Sequence, residues 1–189
     1  MSFQEDISAA LTALRSNGVI LYPTDTIWGI GCDATSQVAV EKIFRIKSRD
    51  ENKSLLILVN SEQMLERYVH DIPETAFELL TVTDEPLTII YPKGKNLARG
   101  VCSEDGSVGI RICRDDFCNQ LISLFRKPIV STSANLSGLP APKSFTDIDK
   151  ELTDSVDYVV NYRQNDRRKQ TASPVIKFNI DGTIKIIRI

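Results

Sequence analysis

Three short polar pairs, each spaced i and i+2, could do chemistry together: Thr24-x-Thr26, Lys47-x-Arg49 and Ser133-x-Asn135. Residues two apart share a face only in extended backbone; on a helix they point apart. Each pair can therefore act jointly only where its segment is not helical. The flanks allow this: Pro23 precedes the first pair, Asp50-Glu51-Asn52 follows the second, and Gly138 and Pro140 follow the third. Two cations converging with several hydroxyl and amide donors would suit a phosphate-bearing ligand. Taken singly, each feature has a plainer reading. Lys-x-Arg at a helix C-terminus complements the helix dipole, and Ser-Thr-Ser-Ala-Asn-x-Ser-Gly can be a capping or turn segment. In the same vein, Trp28 reads as core, and Arg163, Arg167, Arg168 and Lys169 read as a mobile surface loop.

The elements that must position these pairs follow from periodicity. Ser2 and Glu5 have capping-box spacing, and Ile7, Ala10, Leu11 and Leu14 lie on one helical face that Gly18 should stop. A strand over 19–22 runs into Pro23. Ser36 caps a second helix with Ala39, Val40, Ile43 and Phe44 inward, and the apolar run 55–59 reads as a strand covered on both faces. Helical stretches are expected around 64–69 and 76–80, with strands over 87–91 and 108–112. Phe117, Leu121, Ile122 and Phe125 mark a further helix, followed by a strand over 129–131. A helix near 148–152 and a strand over 158–160 lead to a hairpin of 175–178 with 183–189 about Asp181-Gly182. Strands alternating with helices predict an α/β fold: one domain over residues 1–189, an open twisted mixed sheet and flanking helices. In such sheets ligands usually bind at the loops leaving the strand ends.

Several function classes drop out. Gly29-Ile30-Gly31-Cys32-Asp33-Ala34 matches G-x-G-x-x-A, but Pro23 and the polar turn interrupt the strand and the next helix cap is Ser36. The stretch therefore reads as small residues at a tight turn rather than a dinucleotide fingerprint. No GxxxxGK[ST] occurs. Four cysteines without a CxxC pair, and His70 as the one histidine, make a zinc site an unpromising reading and suit reduced thiols in a cytoplasmic protein. A net charge of −2 over 189 residues argues against a broad polyanion-binding surface. Glu5 and Asp6 near the start, and the lack of a long apolar run, predict neither a secretory leader nor a membrane span.

The combination of motifs resembles the YrdC-like family, the threonylcarbamoyl-AMP synthases. The matching stretches are "YPTDTIWGIGCDA", "KIFRIKSR" followed by "LLILV", "PLTIIYP", "SVGIRI", "STSANLSGLPAP" and the closing "SPVIKF…IIRI", in the family's order. The length resembles the short, single-domain branch. The resemblance implies a concave basic pocket and a reaction of ATP, bicarbonate (or CO2) and L-threonine that releases pyrophosphate. The threonylcarbamoyl-AMP product would pass to a tRNA threonylcarbamoyl transferase complex. Mg²⁺ would accompany the ATP, held mainly by phosphate and water, with Asp25 as an outer-shell partner or a plain turn carboxylate. Matched residue by residue, Thr26, Arg111, Ser133 and Ser173 would hold threonine. Arg49, Lys53, Ser107, Asn135, Lys143 and Arg188 would lie along ATP, with Lys47 beside the phosphates; the pairs Lys47/Arg49 and Ser133/Asn135 would carry the catalytic work. Leu58 stands where the family often has histidine, Lys53 and Lys143 depart from its usual residues, and Ser173-Pro174-Val175 replaces Ser-Thr-Val. A relative that binds RNA weakly, or hydrolyses the adenylate instead of making it, is the alternative reading.

Overall fold

Two sheets share one segment of chain, and the glycines and serines of that segment and its neighbour make the junction possible. The structure is a computed structural model that describes residues 2–48, 54–166 and 171–189. In chain order the first elements are α1 (Phe3–Arg15), β1 (Ile20–Tyr22), β2 (Gly29–Gly31), α2 (Gln37–Lys47) and β3 (Leu56–Val59). Next come α3 (Glu62–Leu65), α4 (Glu74–Val82), β4 (Thr88–Tyr91), β5 (Val108–Ile112) and α5 (Asp116–Phe125). The chain closes with β6 (Ile129–Val130), β7 (Thr132–Ser133), a 3₁₀ turn (Phe145–Asp147), α6 (Lys150–Ser155), β8 (Tyr158–Val159), β9 (Val175–Phe178) and β10 (Ile184–Arg188).

The α/β class and the mixed strand directions match the expectation, with the strands divided between two sheets. The four-stranded sheet runs β7-β2-β1-β8, and the six-stranded sheet runs β10-β9-β4-β5-β3-β6. Strands β6 and β7 are one extended run interrupted only at Ser131, so residues 129–133 pair with β3 on one side and β2 on the other. The Gly29/Gly31 stretch is strand, not the tight turn expected. A Cβ on Gly31 would lie 2.1 Å from the Val130 carbonyl oxygen and 2.8 Å from the Tyr22 ring, so only glycine lets β2 approach this run.

Local signals explain the helices. Ser2 and Glu5 form the expected capping box: Glu5 N–H donates to Ser2 Oγ at 3.3 Å, and Ser2 N–H to Glu5 Oε2 at 2.7 Å. At the other end of α1, Asn17 rather than Gly18 adopts the left-handed conformation (φ +56°). Gly18 N–H then donates to Ala13 O at 2.8 Å, an approach that a Cβ would block. Helix α2 buries Ala39, Val40, Ile43 and Phe44 as its spacing requires, and also buries Lys47. The helix expected over 64–69 is the single short α3. One apolar core links α1, both sheets, α2 and α5. On α1, buried Asp6 accepts from Tyr158 Oη and from the backbone N–H groups of Asn161 and Tyr162, tying residues 158–162 to the helix.

Candidate active site

The segment between β1 and β2 splits its polar groups between two directions. Thr24 Oγ1 lies 3.1 Å from Thr26 Oγ1, accepts the Thr26 N–H at 3.1 Å and donates to Ile27 O at 2.8 Å. Both hydroxyls line a cavity of about 480 Å³ lying between the two sheets. Asp25, between them, points the other way and forms an ion pair with Arg111.

Strand register builds the cavity floor. Across the six-stranded sheet one row is Leu56, Gly109, Ile90 and Lys177, and the next is Leu58, Arg111, Thr88, Val175 and Arg188. Gly109 leaves open space in the first row, because a Cβ there would meet Ile90, Leu56 and Thr88 only at ordinary contact distance, 3.8 Å. The opposite wall comes from Thr24, Thr26, Trp28, Gly29, Ser131 and Ser133. The cavity therefore sits over a sheet face, at the seam of the two sheets, rather than at strand ends.

Arg111 organises this floor. Its side chain is 3% exposed, and Nη2 lies 3.0 Å from Asp25 Oδ1. Nη1 donates to Ser173 Oγ at 3.2 Å and Nη2 to Thr24 Oγ1 at 3.4 Å. Ser173 Oγ in turn lies 2.8 Å from Thr88 Oγ1. Arg111 Nε has no hydrogen-bond partner among the described residues, so the buried guanidinium keeps a donor for a ligand acceptor. Asp25 is thus more than a plain turn carboxylate: it carries the counter-charge of Arg111. It lines a second cavity of similar volume behind the pair, with Glu62, Asp84, Glu85, Arg114 and Asp115.

Thr26, Ser107, Arg111, Ser133, Ser173 and Arg188, all picked from the sequence, are brought together at the first cavity. Arg188 Nε and Nη2 both donate to Ser173 O, at 3.0 and 2.7 Å, which clamps the 171–173 segment over the floor. Ser107 Oγ and N–H donate to Asp105 Oδ1 at 2.6 and 2.9 Å.

Other residues picked from the sequence lie outside the lining of this cavity or have partners of their own. Lys47, expected beside phosphates, is 2% exposed and outside the cavity lining. Its Nζ donates to the carbonyls of Ser133 (2.5 Å) and Asn135 (2.7 Å), so it braces the loop that follows β7. Asn135 also faces that loop: Nδ2 donates to Leu136 O and Leu139 O, and its buried Oδ1 has no partner among the described residues. Lys143 is exposed and not among the residues lining the cavity, its backbone N–H bonded to Asp147. Arg163 is no surface-loop cation. Its side chain is 15% exposed, and Nη1 donates to Thr24 O at 3.1 Å and Asp115 Oδ2 at 2.7 Å. Arg49 and Lys53 lie outside the described residues, as do Arg167, Arg168 and Lys169. Trp28 is buried as expected, but also lines the cavity and packs against Phe145.

Sequence reasoning named Thr24 in the first pair without giving it a role, and missed Thr88, Ser131, Asp105 and Lys177. Ser131 was legible, since it shares a face with Ser133 in extended backbone. Lys177 pairs with Asp105 Oδ2 at 2.8 Å, and together with Ser107 it holds the Asp105 carboxyl down at about 2. Among the described residues no group of three or more His, Cys, Asp or Glu could hold a metal ion. Asp105 is the one carboxylate lining the cavity among them. That donor set fits a magnesium ion delivered on phosphate and water, and does not fit a protein-built metal site.

These features define an α/β domain with a hydroxyl-lined pocket over an arginine floor, and comparison with known proteins gives it a lineage. The family model for Sua5, YciO and YrdC, described as telomere recombination, matches residues 12–189. The chain is 37% identical over 150 residues to the threonylcarbamoyl-AMP synthase of Psychromonas ingrahamii, covering 78% of each chain. The crystal structure of E. coli YciO superposes with a TM-score of 0.83 at 25% identity, covering 99% of this chain and 89% of YciO. P. abyssi Sua5 complexed with L-threonine gives a TM-score of 0.82 at 27% identity over 94% of this chain, and the chain spans about half (52%) of that protein. The chain belongs to the Sua5/YciO/YrdC family.

Proposed function

We propose that this chain is a threonylcarbamoyl-AMP synthase, making L-threonylcarbamoyladenylate from ATP, bicarbonate (or CO2) and L-threonine. The observation that carries the reading is the closed set of hydroxyls around Arg111. Thr26, Ser133 and Ser173 offer donors and acceptors for the threonine hydroxyl and amine, and Arg111 Nε offers a buried cationic donor for its carboxylate. The relatives named as synthases, and a relative complexed with L-threonine, support the same choice of substrate.

The threonine amine nitrogen bonds to the carbon of CO2 with release of a proton, or to that of bicarbonate with loss of water, giving a carbamate. A carbamate oxygen then attacks the α-phosphorus of ATP, and the bond to the bridging oxygen breaks to release pyrophosphate. Such a displacement needs positioning and charge stabilisation more than covalent help. The floor supplies this by holding the amino acid at the Arg111 row, while Ser107 and Arg188 border the space left for the nucleotide. Magnesium carried by ATP would neutralise phosphate charge. The adenylate would go to a tRNA threonylcarbamoyl transferase complex in the cytoplasm. No helix of the described residues is long and apolar enough to cross a membrane.

The test is pyrophosphate release with ATP, bicarbonate and threonine, omitting each in turn. Release should require all three. Release that persists without threonine, or RNA binding with no pyrophosphate formed, would refute the assignment.

A further inference from the structure

We propose that Lys177, backed by Lys185 and Arg188 on the same face of the terminal hairpin, takes the polyphosphate of the nucleotide, with Lys177 exchanging Asp105 for a phosphate oxygen. The proposal rests on the synthase reading and adds a contact which that reading does not contain. Register puts Lys177 directly opposite Lys185, and Val175 opposite Arg188, so the three cations line one face of β9 and β10. Like charges directly opposite one another weaken a strand pair. A protein can tolerate that arrangement where an anion is to be bound.

Position and bonding support the exchange. Lys177, Asp105 and Ser107 line both the cavity over the Arg111 floor and a third cavity of about 420 Å³, so the ion pair lies where the two meet. An ammonium group has three donors, and Asp105 Oδ2 is the only hydrogen-bond partner of Lys177 Nζ among the described residues. The side chain is 28% exposed and flexible enough to turn. Asp105 would not be stranded, because its Oδ1 keeps the Ser107 N–H and hydroxyl. Asp181, the other carboxylate lining the third cavity, is engaged by Thr183 N–H and Oγ1. An anionic chain passing from one cavity to the other would thus meet a cation whose counter-charge can be released.

Calorimetric titration of the full chain with ATP, tripolyphosphate, AMP and threonine tests this. Lys177→Gln should weaken ATP and tripolyphosphate on the order of tenfold, the worth of one charge-assisted hydrogen bond. AMP and threonine should change little, and Lys177→Arg should restore most of the loss. Asp105→Asn, which frees the lysine and keeps an acceptor for Ser107, should leave ATP binding equal or tighter. If Lys177→Gln binds ATP like the wild type, the inference falls and the synthase reading stands. If Asp105→Asn weakens ATP as much as Lys177→Gln, the pair is only a structural clasp and the inference falls. A wild-type protein that binds no ATP overturns both.

Discussion

Replacing Asp25 by Asn isolates the charge behind the cavity floor while keeping the shape of the side chain. The Arg111 and Asp25 side chains are 3% and 10% exposed, with Nη2 and Oδ1 3.0 Å apart. Two unit charges this close at an effective dielectric near 20 interact by roughly 5 kcal/mol before desolvation is counted. Removing one member of a buried pair costs about 3–5 kcal/mol, because the other charge stays buried without compensation. Asn still offers an acceptor to Arg111, so the low end, about 3 kcal/mol, is expected. For a chain of this length each kcal/mol moves the melting temperature by about 2–4 °C, giving a drop of roughly 6–12 °C. Thermal unfolding at low and high salt is the assay, and the drop should be nearly the same at both because a buried pair is poorly screened. The double variant Asp25→Leu/Arg111→Met should recover most of the stability, since apolar replacements of a buried pair are often neutral or better. It should not recover threonine binding, because Ser173 and Thr24 lose their shared donor. An Asp25→Asn protein melting within a degree or so of wild type, the behaviour of an exposed pair, would refute the account of the floor.

Lys47→Met should lose roughly 3 kcal/mol, because two cationic hydrogen bonds to the carbonyls of Ser133 and Asn135 disappear. It should also lose threonine-dependent pyrophosphate release; full activity would mean that this loop does not position the site. Gly31→Ala should fold poorly, at a cost beyond the usual 1–3 kcal/mol of overpacking, whereas Gly109→Ala should melt like the wild type, and circular dichroism melts of the two compare a Cβ at 2.1 Å from backbone with one at 3.8 Å. Burial, with the bond to the Asp6 carboxylate, raises the Tyr158 hydroxyl to about 12. A group raised on folding stabilises fully below its unfolded value, about 10, and loses that contribution as pH rises through its folded value. Stability measured by denaturant melts should therefore fall between about pH 10 and 12, and Tyr158→Phe should lessen that fall. Burial alone would raise Asp6, but its hydrogen bonds from Tyr158, Asn161 and Tyr162 outweigh this and hold it below the usual carboxylate range. Its contribution is therefore present above the unfolded value, about 3.9, and lost only as pH falls through the lower folded one.

What the sequence makes legible here is set by the range of each signal. The caps at Ser2 and Ser36 and the stripe on α2 are local, and they hold to the residue. Strand β2 carries no local signal, because Gly-Ile-Gly has neither alternation nor β-branched density; its pairing is decided by clearance from the 129–133 run. Hydroxyls and arginines at the cavity were readable from the resemblance, yet their assignment to ligand or scaffold was not, because a cation looks the same whether it faces phosphate or a carbonyl. Lys47 shows the difference: at the last turn of α2 it reads as a cation for the helix dipole or for phosphate, and only the fold reveals two carbonyls beneath it. Asp25 shows the converse. Flanked by two threonines it reads as part of one polar cluster, but the bend after Pro23 sends it behind the wall that they face. There it carries the counter-charge for Arg111, from a strand more than eighty positions away in the chain. The Pro-Thr-Asp-Thr stretch therefore does two jobs at once: its threonines furnish the pocket, and the aspartate between them fixes the arginine on which the pocket is built.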